Sequence, residues 1–76
     1  MDTSLKNTKL VVEKKRFFFD LKENERGRFL RITEEVHGIR DTIIIPTPGL
    51  RDFVGILEEM IEMDEAAQSQ STVSVE

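Results

Sequence analysis

The sequence has no cysteine and a single histidine. A disulfide framework, a thiolate zinc site and a cysteine nucleophile are therefore excluded. His37 has no second histidine or cysteine with which to complete a soft-metal site, and its place in a turn marks it as a solvated residue. The longest purely apolar runs are three residues, those at 17–19 and 43–45 among them. A membrane span needs about 20. Met1-Asp2-Thr3-Ser4 lacks the basic-then-apolar pattern of a signal peptide, so the expectation is a soluble, cytoplasmic protein without a membrane partner. No glycine-rich phosphate loop precedes a helix, and no nucleophile sits with a base. Neither an enzyme nor a cofactor is expected.

Positive charge is scarce in one half only. Net charge is −4, but residues 1–40 carry ten Lys/Arg against seven Asp/Glu, a net of +3. Residues 41–76 carry one Arg against eight Asp/Glu, a net of −7. Such asymmetry says more about partners than the total does. At 76 residues the chain makes one small domain with a modest core, for which oligomerisation is a natural supplement.

Period-2 alternation and turn signals predict four strands. They lie at 9–14, 16–22, 28–34 and 41–45, and Pro46 stops the last because it cannot donate to a ladder. Asn24 and Gly27 suit the turn between the second and third strands, and His37-Gly38 marks the next. The period then changes. Leu50, Phe53, Val54, Leu57, Met60 and Ile61 form one stripe of an amphipathic helix ending near Glu65. Thr47 is the expected N-cap, with Pro48 at the first helical position. Glu58, Glu59 and Glu62 read as its solvated face. The predicted organisation is a flexible N-terminus (1–8), a folded unit (9–65) and a disordered polar tail (66–76). The fold class is α+β, a four-stranded antiparallel sheet followed by one helix that supplies its cover.

Phe17, Phe19, Leu21, Leu30 and Ile32 fall on the face expected beneath the helix. Arg16, Phe18, Asp20, Lys22, Phe29, Arg31 and Thr33 are left on the other. Basic side chains interleaved with aromatics suit single-stranded nucleic acid, because cations neutralise phosphates and rings stack on bases. The same phenylalanines also suit a dimer interface.

One stretch is recognisable. Lys15-Arg16-Phe17-Phe18-Phe19-Asp20-Leu21-Lys22, then Asn24, then Arg26-Gly27-Arg28-Phe29-Leu30, resembles the repeat of the purine-rich-element-binding Pur-alpha family. That repeat runs Lys-Arg-Phe-Tyr-Leu-Asp-Val-Lys, a spacer, Asn, a spacer, Lys/Arg-Gly-Arg-Phe. Spacing through 15–29 is ungapped. Leu50-Arg51-Asp52-Phe53, ahead of an acidic helix, resembles the family's Glu-Phe-Arg-Asp-Tyr-Leu in placement. The resemblance covers about residues 5–65, and a single-repeat, bacterial-type member is the form it fits.

The resemblance implies a β-β-β-β-α PUR repeat and, since one repeat is present, a homodimer in which two repeats intertwine. It implies binding of single-stranded, purine-rich (G-rich) DNA and RNA, strand separation, and a role in transcription or RNA regulation. It further implies residence in the cytoplasm or nucleoid for a bacterial protein, or in nucleus and cytoplasm for a eukaryotic one. The implied contacts are Lys15, Lys22, Asn24, Arg26, Arg28 and Phe29. In this carry-over Lys15, Lys22, Arg26 and Arg28 hold the backbone, Asn24 hydrogen-bonds a base, and Phe29 stacks and helps unstack a duplex. Three departures stand out. Glu13 and Lys14 replace Gln and Ser, which help read bases; Glu23 and Glu25 dilute the hairpin's charge; Phe18 replaces Tyr. The alternative, from another class, is a dimeric structural or protein-interaction module with the same fold and little nucleic-acid affinity.

Overall fold

Three two-residue reversals fold the chain into one sheet in a computed structural model that describes residues 2–74. The strands are β1 (Thr3–Val12), β2 (Lys15–Asn24), β3 (Gly27–Val36) and β4 (Ile39–Pro46), paired antiparallel in the order β1-β2-β3-β4. Rungs Val12↔Lys15, Asn24↔Gly27 and Val36↔Ile39 close the reversals. In the last, His37 and Gly38 both take positive φ (53° and 80°), the backbone of a hairpin turn that matches strand twist. In the middle reversal Gly27 alone takes positive φ (138°), while the Asn24 side-chain carbonyl accepts the Arg26 backbone N–H at 2.9 Å. Asn24 thus shapes its turn through its side chain rather than through a left-handed backbone.

A 3₁₀ turn (Thr47–Gly49) leads directly into helix α1 (Leu50–Ser74). The order β-β-β-β-α is the expected one. Its boundaries differ. β1 begins at Thr3 rather than residue 9, so most of the segment expected to be flexible is paired with β2. α1 continues past Glu65 to Ser74, through most of the expected tail; residues 75–76 of that tail lie outside the described residues, as does Met1. Thr47 is not a helix N-cap. Pro46 precedes the 3₁₀ turn, without a side-chain cap, and the Thr47 hydroxyl donates instead to the Arg28 carbonyl at 3.4 Å.

The larger correction concerns the cover. α1 packs on the 3₁₀ turn and on no strand to any substantial extent. The cause is local: Leu50 continues the turn in helical geometry (φ −65°, ψ −37°), so no loop reverses the chain over its own sheet. The protomer measures 58 × 30 × 16 Å with a radius of gyration of 16.5 Å, against about 11 Å for a compact chain of this length. Ile45, 5% exposed, is the one buried apolar side chain among the described residues. Leu10, Val12 and Ile43 lie open beside Phe17 and Phe19 on one face of the sheet, and Phe53, Val54, Leu57, Met60 and Ile61 lie open on α1.

Candidate nucleic-acid interface

Alternation along paired strands sorts the sheet into two unlike faces. Rungs Leu10↔Phe17, Thr8↔Phe19↔Ile32↔Ile43 and Leu21↔Leu30↔Ile45 build an apolar face. Rungs Val11↔Arg16↔Glu35↔Arg40, Lys9↔Phe18↔Thr33↔Thr42, Asn7↔Asp20↔Arg31↔Ile44 and Ser4↔Lys22↔Phe29↔Pro46 build the other. Among the described strand residues, this second face carries the cations Lys9, Arg16, Lys22, Arg31 and Arg40 against the acids Asp20 and Glu35. It is basic although the chain is acidic. The β1–β2 register shifts between Ser4 and Lys6, which lets Ser4 and Asn7 share this face despite their odd spacing.

The hairpin end gathers most of the implied contacts. Asn24, Arg26, Gly27, Arg28 and Phe29 line one shallow depression with Ile44 and Pro46. Lys22 is the rung partner of Phe29. Asn24 is engaged on both ends of its amide: Oδ1 accepts from Arg26, and Nδ2 donates to Asp2 at 3.3 Å. Arg28 sits on the opposite face from Phe29, where Nη1 lies 3.2 Å from Glu23 Oε2.

Lys15 is not part of this group. It begins β2, nine residues from Asn24, or about 30 Å along an extended strand. It shares the apolar face with Phe17, and its ammonium lies 3.1 Å from Glu34.

Among the described residues, every strand cation on the basic face except Lys9 has an acidic neighbour. Asp20 is the hub: it accepts from the Ser4 hydroxyl at 2.7 Å, lies 3.3 Å from Arg31 Nη2 and 3.9 Å from Lys22 Nζ. Glu35 serves Arg16 at 3.6 Å and Arg40 at 3.7 Å. Two of these cations, Lys9 and Arg40, were missed by the sequence reading. Arg40 lay just ahead of the predicted fourth strand, and extending the alternation of Thr42 and Ile44 back by one step assigns it to this face.

Among the described residues no helix is long and apolar enough to cross a membrane. No cluster of three or more metal-ligating side chains occurs there either.

Residues 1–74 match the family described as PurA ssDNA and RNA-binding protein. The chain is similar to transcription factor Pur-alpha 1 of Arabidopsis thaliana, 42% identical over 64 residues that cover 84% of this chain and 22% of that protein. It is similar to the human transcriptional activator protein Pur-alpha, 41% identical over 66 residues covering 78% and 20%. Human transcriptional regulator protein Pur-beta is 36% identical over 74 residues, covering 78% and 24%. The chain spans about a fifth to a quarter of the length of these curated relatives.

Proposed function

We propose, from the premise that this chain belongs to the PurA family of single-stranded DNA- and RNA-binding proteins, that it binds purine-rich single strands as a homodimer. The observation that carries the reading is the basic, aromatic face of the sheet, set opposite the apolar face that the proposed dimer would cover. In this mechanism Lys22, Arg26 and Arg28 neutralise phosphates, Phe29 stacks on a base, and Asn24 holds the turn that presents them while offering its remaining amide proton to a base. Lys15 belongs to this reading only as a distant phosphate contact. Phe29, wedged beside a duplex end, would help separate strands; the relatives' names as transcription factors and regulators extend the proposal to transcription, and the family's RNA binding extends it to RNA regulation.

Two open apolar surfaces support the proposed dimer. The stripe on α1 and the Phe17 face of the sheet do not cover each other within one protomer, and a second copy supplies both partners. A small chain gains core most directly by such an exchange.

Titrating a fluorescent G-rich single strand at low and moderate salt tests the binding. Affinity should fall with added salt, with a slope of about −0.7 per phosphate neutralised on a log–log plot. Absence of binding at low salt overturns the proposal.

One observation favours the interaction-module alternative: most of the strand cations already have acidic neighbours. Glu23 is the clearest test because it pairs with Arg28 at the hairpin itself. If Arg28 meets phosphate, Glu23→Gln should tighten single-strand binding about twofold and leave stability within about 1 kcal/mol, as for other exposed pairs. Unchanged affinity would assign Arg28 to the pair rather than to a ligand.

A further inference from the structure

The start of β1 brings one more side chain to the hairpin, and no motif marks it. β1 and β2 pair as far as Thr3↔Glu23. One step beyond that rung Asp2 stands opposite Asn24, and Asn24 Nδ2 donates to Asp2 Oδ1 at 3.3 Å. Alternation from the Ser4↔Lys22 rung puts both residues on the basic face. Asp2 is exposed, and its second carboxylate oxygen has no partner among the described residues.

The Asn24 amide has a fixed orientation. Its Oδ1 accepts the Arg26 N–H at 2.9 Å, so its nitrogen end faces Asp2 with one proton to spare. Asn24 Nδ2, Asp2 Oδ1 and Asp2 Oδ2 therefore offer a donor, an acceptor and an acceptor. Cytosine presents its amino group, ring nitrogen and carbonyl to guanine in the same order. The edge of guanine is the complement: O6 accepts, and N1 and N2 donate. Adenine carries a lone pair at N1, which would meet the carboxylate.

The approach to this pair is open. Gly27 completes the Asn24 rung on β3 without a side chain, and a Cβ added there would meet nothing within 4 Å. Phe29 is the diagonal neighbour of Asn24 across β2 and β3, about 7–8 Å away. A base stacked on Phe29 has its edge within reach of Asn24 and Asp2.

We propose that Asp2 is a specificity residue: its carboxylate, set beside the Asn24 amide, reads the Watson–Crick edge of an unpaired guanine and rejects adenine. Unpaired bases are commonly read on that edge. The inference rests on the nucleic-acid reading above. It adds a choice between the two purines, and it gives a task to an acid that phosphate binding alone would disfavour.

The direction of one effect separates a base reader from a mere repelling charge. DNA strands of about 8 nucleotides, thymine apart from two central purines, fall inside the range of sites on small single-strand binders. The purines are both guanine, both inosine or both adenine, and each strand is titrated against the wild type, Asp2→Asn and Phe29→Ala. The wild type should prefer guanine to adenine about tenfold, within the discrimination a bidentate contact gives. Inosine should fall between them, since it keeps O6 and the N1 proton but lacks the 2-amino group. Asp2→Asn should weaken the guanine strand about fivefold and reduce the preference to less than twofold, although it removes a negative charge from the site. Circular dichroism should show its fold unchanged, because Asp2 is exposed. An Asp2→Asn protein that binds all three strands more tightly by a common factor overturns the inference and makes Asp2 a repelling charge. A wild type that does not distinguish guanine from adenine, while Phe29→Ala weakens both, also overturns it and leaves the hairpin reading standing. A wild type that binds no strand removes the nucleic-acid reading and this inference with it.

Discussion

Leu57→Asp is expected to dissociate the protein into unfolded or partly folded chains, the largest effect of any single change considered. Leu57 is 57% exposed in the protomer, so in a monomer the change would cost no more than an ordinary surface substitution, within about 0.5 kcal/mol. In the proposed dimer the same side chain lies in the middle of the α1 stripe, against the partner's apolar face. A leucine buried there contributes about 2 kcal/mol, and a carboxylate in its place faces a desolvation penalty of several more. Twofold symmetry places the lesion twice. A loss of at least about 6 kcal/mol follows, about 10⁴-fold or more in the dissociation constant. Light scattering and circular dichroism check it: the wild type should run at twice 8.8 kDa and the variant should not. Glu59→Gln, on the opposite side of the helix, is the control and should leave mass and helix content unchanged. A Leu57→Asp protein of unaltered mass and melting would show that the stripe is not an interface.

Phe29→Ala should weaken single-strand binding by about 1–3 kcal/mol, or roughly 5- to 150-fold, with the dimer intact. The ring is only half-buried, at the last rung that β4 completes, paired on one side with Lys22 and on the other with Pro46. It lies on the face away from Phe17, so removing it opens no hole in the proposed dimer core. Binding measured by fluorescence anisotropy, alongside the mass in solution, separates the two roles. Loss of binding with retained mass supports stacking, whereas loss of mass makes the ring structural.

The architecture was legible where pattern alone decides it. Alternation at 16–22 and 28–34 sorted the two faces correctly, and the change of period at Leu50 located the helix. The early start of β1 was hidden because residues 3–8 hold one apolar side chain, Leu5, and it falls at the register shift. The end of α1 was hidden because Ala66, Ala67 and Gln68 favour helix without contributing an apolar stripe. Periodicity also states that a face will be covered, but not which chain covers it. The missing information was the continuity of the 3₁₀ turn into α1, a backbone property that Thr47-Pro48-Gly49 does not advertise.

The site was legible in its residue types and less so in its geometry. The contact that the resemblance implies for Lys15 opens the second strand, and strand length sets it apart from the hairpin contacts. The acidic neighbours of the cations come mostly from rungs between strands. Asp20 meets Arg31, and Glu35 meets Arg16 and Arg40, only once register is known. The base contact that the resemblance implies for Asn24 shares its side chain with the turn, whose Arg26 N–H the carbonyl accepts.

The solitary burial of Ile45 among the described residues has a consequence for the cell as well as for the test tube. A protomer with so little interior cannot offset the loss of chain entropy by itself, so in the proposed dimer folding and association are one second-order event. Its melting temperature then has no fixed value and rises with the amount of protein present. Abundance acts as a folding variable: below a threshold number of copies, newly made chains stay open and exposed to proteases, and above it they persist. For a protein of this build, the expression level would set not only how much of the proposed binder there is but whether it is folded at all.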